Sequence, residues 1–80
     1  MAKIKLSSKL KLSYKEIVPV LSGQADQTRI TLLGRRRDDP SQLDTLVTQA
    51  WKPGESVSIE WQGEPQGVPS VAPLTSQSGA

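Results

Sequence analysis

Between Lys3 and Lys15 the chain reads KIKLSSKLKLSYK, and its side chains sort strictly by parity. Ile4, Leu6, Leu10, Leu12 and Tyr14 occupy even positions; Lys3, Lys5, Lys9, Lys11 and Lys15 occupy odd ones. Side chains on a strand alternate faces with a period of two, so the stretch predicts one apolar face backed by one lysine face. A hairpin closing on Ser7-Ser8 would pair Leu6 with Lys9 and mix the two faces. A three-residue loop, Ser7-Ser8-Lys9, keeps the parity, but such loops usually want a glycine at positive φ. The pattern therefore favours one long strand, bent at the serines.

The rest of the chain limits what that strand can join. With 80 residues there is one domain at most. Cysteine and histidine are both absent. The fold cannot be braced by disulfides, and the usual general base, metal ligand and pH switch are missing. No apolar run approaches the roughly 20 residues that cross a bilayer, and the lysine-alternating start does not read as a secretory signal. The expectation is a cytoplasmic, non-enzymatic protein with no cofactor, no metal and no membrane partner.

Charge is unevenly distributed. Residues 1–37 carry nine Lys and Arg against two carboxylates, whereas residues 38–80 carry one lysine against six. Such a split points to an anionic partner for the first half. The plainer reading is that the halves interleave and neutralise one another.

Residues 13–23 are ambiguous. Ser13 and Glu16 have capping-box spacing and Gly23 would suit a helix end. Pro19 and the β-branched Ile17, Val18 and Val20 argue instead for an extended segment at 16–21, at a sheet edge because proline cannot donate to a ladder. Thr28–Leu33 reads as a strand with Ile30 and Leu32 on one face, ended by Gly34. Arg35-Arg36-Arg37-Asp38-Asp39 reads as a charged loop. Asp39 followed by Pro40 has the chemistry of a helix start, and Leu43, Leu46, Val47 and Ala50 recur at helical spacing, so the pattern predicts a helix over about 40–51. Ser56–Gln62 alternates as a final strand with Val57, Ile59 and Trp61 on one face. Gly63 onward, rich in Pro, Gly and Ser, is expected to be a flexible tail. The expected fold is α+β: a domain over 1–62 with a sheet of three or four strands, one helix on its face, and a disordered tail over 63–80. With no phenylalanine, Trp51, Trp61 and Tyr14 are expected to supply much of the core.

TRITLL followed by DDPSQLDTLVTQAWKPGESVSIEWQGE looks like the strand–helix–strand portion of the HPr phosphocarrier family. That family carries phosphate on a histidine, which this chain lacks, so the activity does not transfer. TRITL with WKPGESVSIEW is also similar to the TOBE modules of some ABC-transporter ATPases, and that likeness implies a strand at 42–50. Both resemblances cover under half the chain.

The functional candidates are cationic. Lys3, Lys5, Lys9, Lys11 and Lys15 along one strand face could follow a phosphate backbone, although lysines on an exposed strand also guard against aggregation, and no aromatics interleave them for base stacking. Arg35, Arg36 and Arg37 could hold phosphate or carboxylate through planar forks, with Asp38 and Asp39 blunting their field. The Ser8–Lys11 spacing matches S-x-x-K of serine acyl enzymes without companion motifs. An Asp38–Asp39 metal or acid–base site is disfavoured by the capping role of Asp39. The expectation is a small binding protein that meets nucleic acid or an acidic protein surface through these eight cations. The alternative is an accessory subunit of a larger complex or a homo-oligomer, docked by an apolar or strand-edge contact, with the lysines serving solubility.

Overall fold

Extended structure continues well past the elements that alternation alone marks. A computed structural model describes residues 2–24, 27–52 and 54–77. In chain order these form β1 (Ala2–Ser7), a 3₁₀ turn (Ser8–Leu12), β2 (Tyr14–Gln24), β3 (Gln27–Arg36), β4 (Leu43–Ala50), β5 (Val57–Gln62), β6 (Ser70–Val71) and β7 (Thr75–Gln77). There is no α-helix among the described residues, so the expected α+β fold is corrected to a two-sheet β fold. β1 and β5 pair in parallel as a two-stranded sheet. The second sheet has the order β4-β3-β2-β6, with β7 also on β2.

The parity of the first stretch survives only to Ser7. Ile4 and Leu6 are buried while Lys3 and Lys5 are exposed. The Ser7 hydroxyl then accepts the Lys9 N–H at 3.2 Å, and the Ser13 N–H donates to the Leu10 carbonyl at 3.1 Å. A serine that caps its own following turn competes with strand continuation, which ends the expected long strand. Leu10 still packs against the core, but Leu12 is 74% exposed.

β2 is interior rather than an edge. β3 runs antiparallel along one side, from Tyr14↔Arg36 to Gln24↔Gln27. β6 and β7 run parallel along the other. The Ala72 N–H donates to the Ile17 carbonyl at 2.8 Å, so Ile17 turns its backbone toward that second side. Alternation turns Pro19 the same way. There the ladder is interrupted, because β6 pairs Glu16 and Ile17 and β7 begins only at Val20. The missing proline donor falls in the gap, as the proline rule requires. The strands that make this gap come from the segment expected to be a disordered tail. Pro69 is buried, and Lys11 Nζ donates to the Gln66 carbonyl at 2.8 Å.

The expected helix over 40–51 is β4, and both of its signals have another explanation. Asp39 does cap, but it caps a turn: its Oδ1 accepts from the Ser41 N–H (3.2 Å) and hydroxyl (2.6 Å), and the Gln42 N–H reaches the Asp39 carbonyl at 2.9 Å. Proline after aspartate suits that turn as well as a helix start. The apolar spacing comes from a β-bulge. Leu32 pairs with Val47 and Leu33 with Thr45, leaving Leu46 as the extra residue. A bulge shifts the alternation by one, so Leu46 and Val47, adjacent in sequence, both pack on the core. Leu43 and Ala50, the outer members of the supposed stripe, are exposed. The HPr-like strand–helix–strand order is therefore absent.

The two sheets meet over Ile4 and Leu6 from β1 and Ile17, Ile30 and Leu32 from β2 and β3. Trp51 and Trp61 are partly buried flanks of this aliphatic centre, not its mass. Tyr14 lies flat over the backbone at Gly34, where an added Cβ would sit 2.6 Å from the ring. Glycine is required there by close approach.

Candidate anion-binding surface

The eight cations divide into two groups. Lys3 and Lys5 project from β1. Lys3 Nζ lies 3.1 Å from Glu60 Oε1, and Lys5 sits beside Glu60 in the β1–β5 register. A carboxylate from the acidic half of the chain thus offsets this face, as interleaving of the two halves would have it.

The second group gathers at one end of the larger sheet. The register sets Tyr14 beside Arg36 and Glu16 beside Arg35. The Arg37 N–H donates to the Ser13 carbonyl at 2.9 Å, and Arg37 Nε donates to the Lys11 carbonyl at 2.6 Å. These two bonds tie the end of β3 to the 3₁₀ turn, so Lys9, Lys11 and Lys15 share an end with Arg35, Arg36 and Arg37. Lys3 and Lys5 are not part of it, and the expected single lysine face is divided.

Within this end the cations have different duties. Arg35 donates Nε to Glu16 at 2.9 Å and Nη1 to the Pro40 carbonyl at 2.8 Å, clamping the β3–β4 turn. Arg36 donates Nε to Asp44 at 2.8 Å. Asp44 also accepts the Tyr14 hydroxyl at 2.8 Å. The Arg36 hydrogen bond and then that of Tyr14 hold the Asp44 carboxyl below the usual carboxylate range. The same bond to Asp44, with desolvation, raises the Tyr14 phenol, and Asp44 raises Arg36. Among the described residues Lys9 and Lys15 have no ion pair. Among the same residues Lys11 and Arg37 bond to carbonyls and to no carboxylate, which leaves their charge uncompensated.

A cleft of about 360 Å³ opens here, lined by Leu12, Ser13, Tyr14, Arg36, Arg37 and Asp44, with Asp38 also on its wall. Tyr14 and Asp44 are functional-looking residues that the sequence did not single out. Tyr14 belongs to the apolar parity class, and Asp44 falls inside the segment expected to be a helix. Only the β2–β3–β4 register brings them together. Asp39 is spent on its turn, and among the described residues no three carboxylates converge as a metal site. A second, more apolar groove of about 530 Å³ runs between the sheets past Pro19, Ile30, Val57, Ile59, Val71 and Leu74. No described helix is long and apolar enough to cross a membrane.

No protein-family model, curated protein or solved structure matches the chain.

Proposed function

We propose that the chain is a small non-enzymatic binding module that meets an anionic partner, a nucleic acid or an acidic protein surface, at the basic end of its larger sheet. Lys9, Lys11, Lys15 and Arg37 make the contact. Arg35 and Arg36 hold the frame, since their charge is already matched by Glu16 and Asp44. The observation that carries the reading is the convergence of four uncompensated cations from three separate segments on one end of the sheet. Cations so placed release counterions from a polyanion and make binding steeply salt-dependent. A cytoplasmic setting belongs to this reading.

A titration of single- and double-stranded DNA and RNA at two salt concentrations tests it. The expected result is binding whose logarithm falls with the logarithm of salt at a slope of about −3 for four contacts on a single strand. Lys9→Glu is expected to weaken it without changing the urea midpoint. Absence of binding at low salt removes the nucleic-acid partner, and the same titration with an acidic polypeptide then decides whether any anionic partner remains.

A second reading has its own support. β4 ends its sheet with no lysine, arginine or proline along its length, a surface suited to strand-edge contact.

A further inference from the structure

Among the described residues β4 pairs with β3 on one side and with nothing on the other. Its backbone orientation follows from two hydrogen bonds at its ends. The Arg36 N–H reaches the Gln42 carbonyl at 3.2 Å, and the Trp51 N–H reaches the Thr28 carbonyl at 3.0 Å. Alternation inward from those ends, with the register step at Leu46, turns Leu43, Thr45, Thr48 and Ala50 toward the open edge. The same four side chains are the exposed ones, and Asp44, Leu46, Val47 and Gln49 are partly buried.

That order is a palindrome: exposed and partly buried positions read the same from Leu43 to Ala50 as from Ala50 to Leu43. An antiparallel copy placed about a two-fold axis between Leu46 and Val47 therefore sets like against like. Leu43 meets Ala50 of the other copy, Thr45 meets Thr48, Asp44 meets Gln49, and Leu46 meets Val47. The edge-facing backbone groups of Leu43, Thr45, Thr48 and Ala50 come opposite one another in the same register. No like charges are opposed, because Asp44 is the single charged residue of β4 and is bonded within its own chain to Arg36 and Tyr14. Threonine–threonine and aliphatic cross-strand pairs are favourable ones, and Leu43 is 41% exposed in the single chain.

We propose that the open edge of β4 is a docking surface for a second copy of this chain, which joins antiparallel about a two-fold axis between Leu46 and Val47 to make one continuous sheet. Such an interface is isologous and closes on itself, so it stops at a dimer. Its size places it among weak contacts, on the order of 1,200 Å² or less.

Sedimentation of the full chain from about 5 μM to about 500 μM tests this by mass action. The expected result is a monomer–dimer equilibrium without larger species. Thr45→Lys with Thr48→Lys in one variant, and Thr45→Glu with Thr48→Glu in another, put like charges across both threonine pairs. Each alone is expected to stay monomeric, with at least a tenfold loss of association, and an equimolar mixture is expected to form the heterodimer. A second readout does not depend on the charged variants folding. The natural chain has no cysteine, and hydrogen-bonded antiparallel partners lie about 5.5 Å apart, within disulfide reach. Mixing Thr45→Cys with Thr48→Cys and oxidising mildly is expected to give the mixed disulfide in excess over either homodimer. A wild type that stays monomeric at the highest concentration overturns the proposal. So does dimerisation that the like-charged variants leave unchanged, which assigns the contact to another surface such as β1 or the apolar groove. Open-ended oligomers, or disulfides without preference for the mixed pair, overturn it as well.

Discussion

Among the described residues β1 and β4 are both strands with an unpaired side, and the chain treats them in opposite ways. β1 sets lysines on its exposed positions and deep apolar residues on the others: Ile4 and Leu6 are almost fully buried. Its alternation is unbroken, and the guard against edge pairing is charge. β4 has no lysine and no deeply buried residue, and it interrupts its alternation with a bulge. A regular strand advertises itself through a clean pattern. A bulged strand hides, because two neighbouring core contacts imitate helical spacing.

The largest effect that separates the two strands is in the core. Ile4→Ala removes a fully buried side chain between the sheets and is expected to cost about 2–4 kcal/mol, enough to unfold much of a domain this small. Leu46→Ala, at the half-buried bulge, is expected to cost about 1–2 kcal/mol. Urea melts of both variants measure the difference; equal losses would mean that β4 is anchored as deeply as β1.

Next in size is the contact between β2 and β3, the strands inward of β4. Gly34→Ala drives a methyl group into the Tyr14 ring, and displacing the ring is expected to cost about 1–3 kcal/mol. Loss of the near-ultraviolet tyrosine signal should accompany it. A silent substitution would show that the ring is not fixed over β3.

The acid limb of stability should also belong to the β4 side. Asp44 holds its proton more weakly in the folded than in the unfolded chain. Its contribution is therefore complete above the ordinary carboxylate range and is lost as pH falls through the lower folded value. Tyr14, raised, acts at the other end: its contribution is present below the ordinary phenol value and is lost as pH rises through the folded one. Asp44→Asn is expected to flatten the acid limb of urea midpoints taken from about pH 6 to about pH 2. An unchanged limb would remove Asp44 from the account.

The smallest change in stability is expected on β1. Lys3→Thr with Lys5→Thr removes one exposed ion pair and should alter folding by about 0.5 kcal/mol or less. Its readout is association: with the charged guard gone, light scattering should rise with concentration. No rise would mean that β1's edge is protected by something other than charge.

The candidate site was legible in part. Each of its cations could be named from the sequence, but Arg35–Arg37 read as part of a charged loop after Gly34, whereas β3 runs on through Arg36. Their division of labour could not be read. Whether Arg36 is free depends on Asp44 lying across a strand pair, and a helix over 40–51 would have turned Asp44 elsewhere. Lys3 and Lys5 share the parity of Lys9 and Lys11, but the Ser7 cap turns the chain between them and sends the two pairs to different surfaces.

By itself the sequence determined what depends on neighbours a few residues apart. It set the two faces of β1 and of β3, the capping chemistry at Asp39, the absence of histidine and cysteine chemistry, and the alternation of β5. Tertiary structure decided what depends on a partner far along the chain. It made Leu43–Ala50 a strand, because β3 offered a ladder and a bulge could absorb the extra residue. It made β2 interior despite Pro19, because β6 and β7 leave a gap where the donor is missing. It ordered residues from the expected tail, because β2 had an unpaired side. Local signals for a turn and for a helix start are chemically alike, and only the hydrogen-bond partner that arrives from elsewhere separates them.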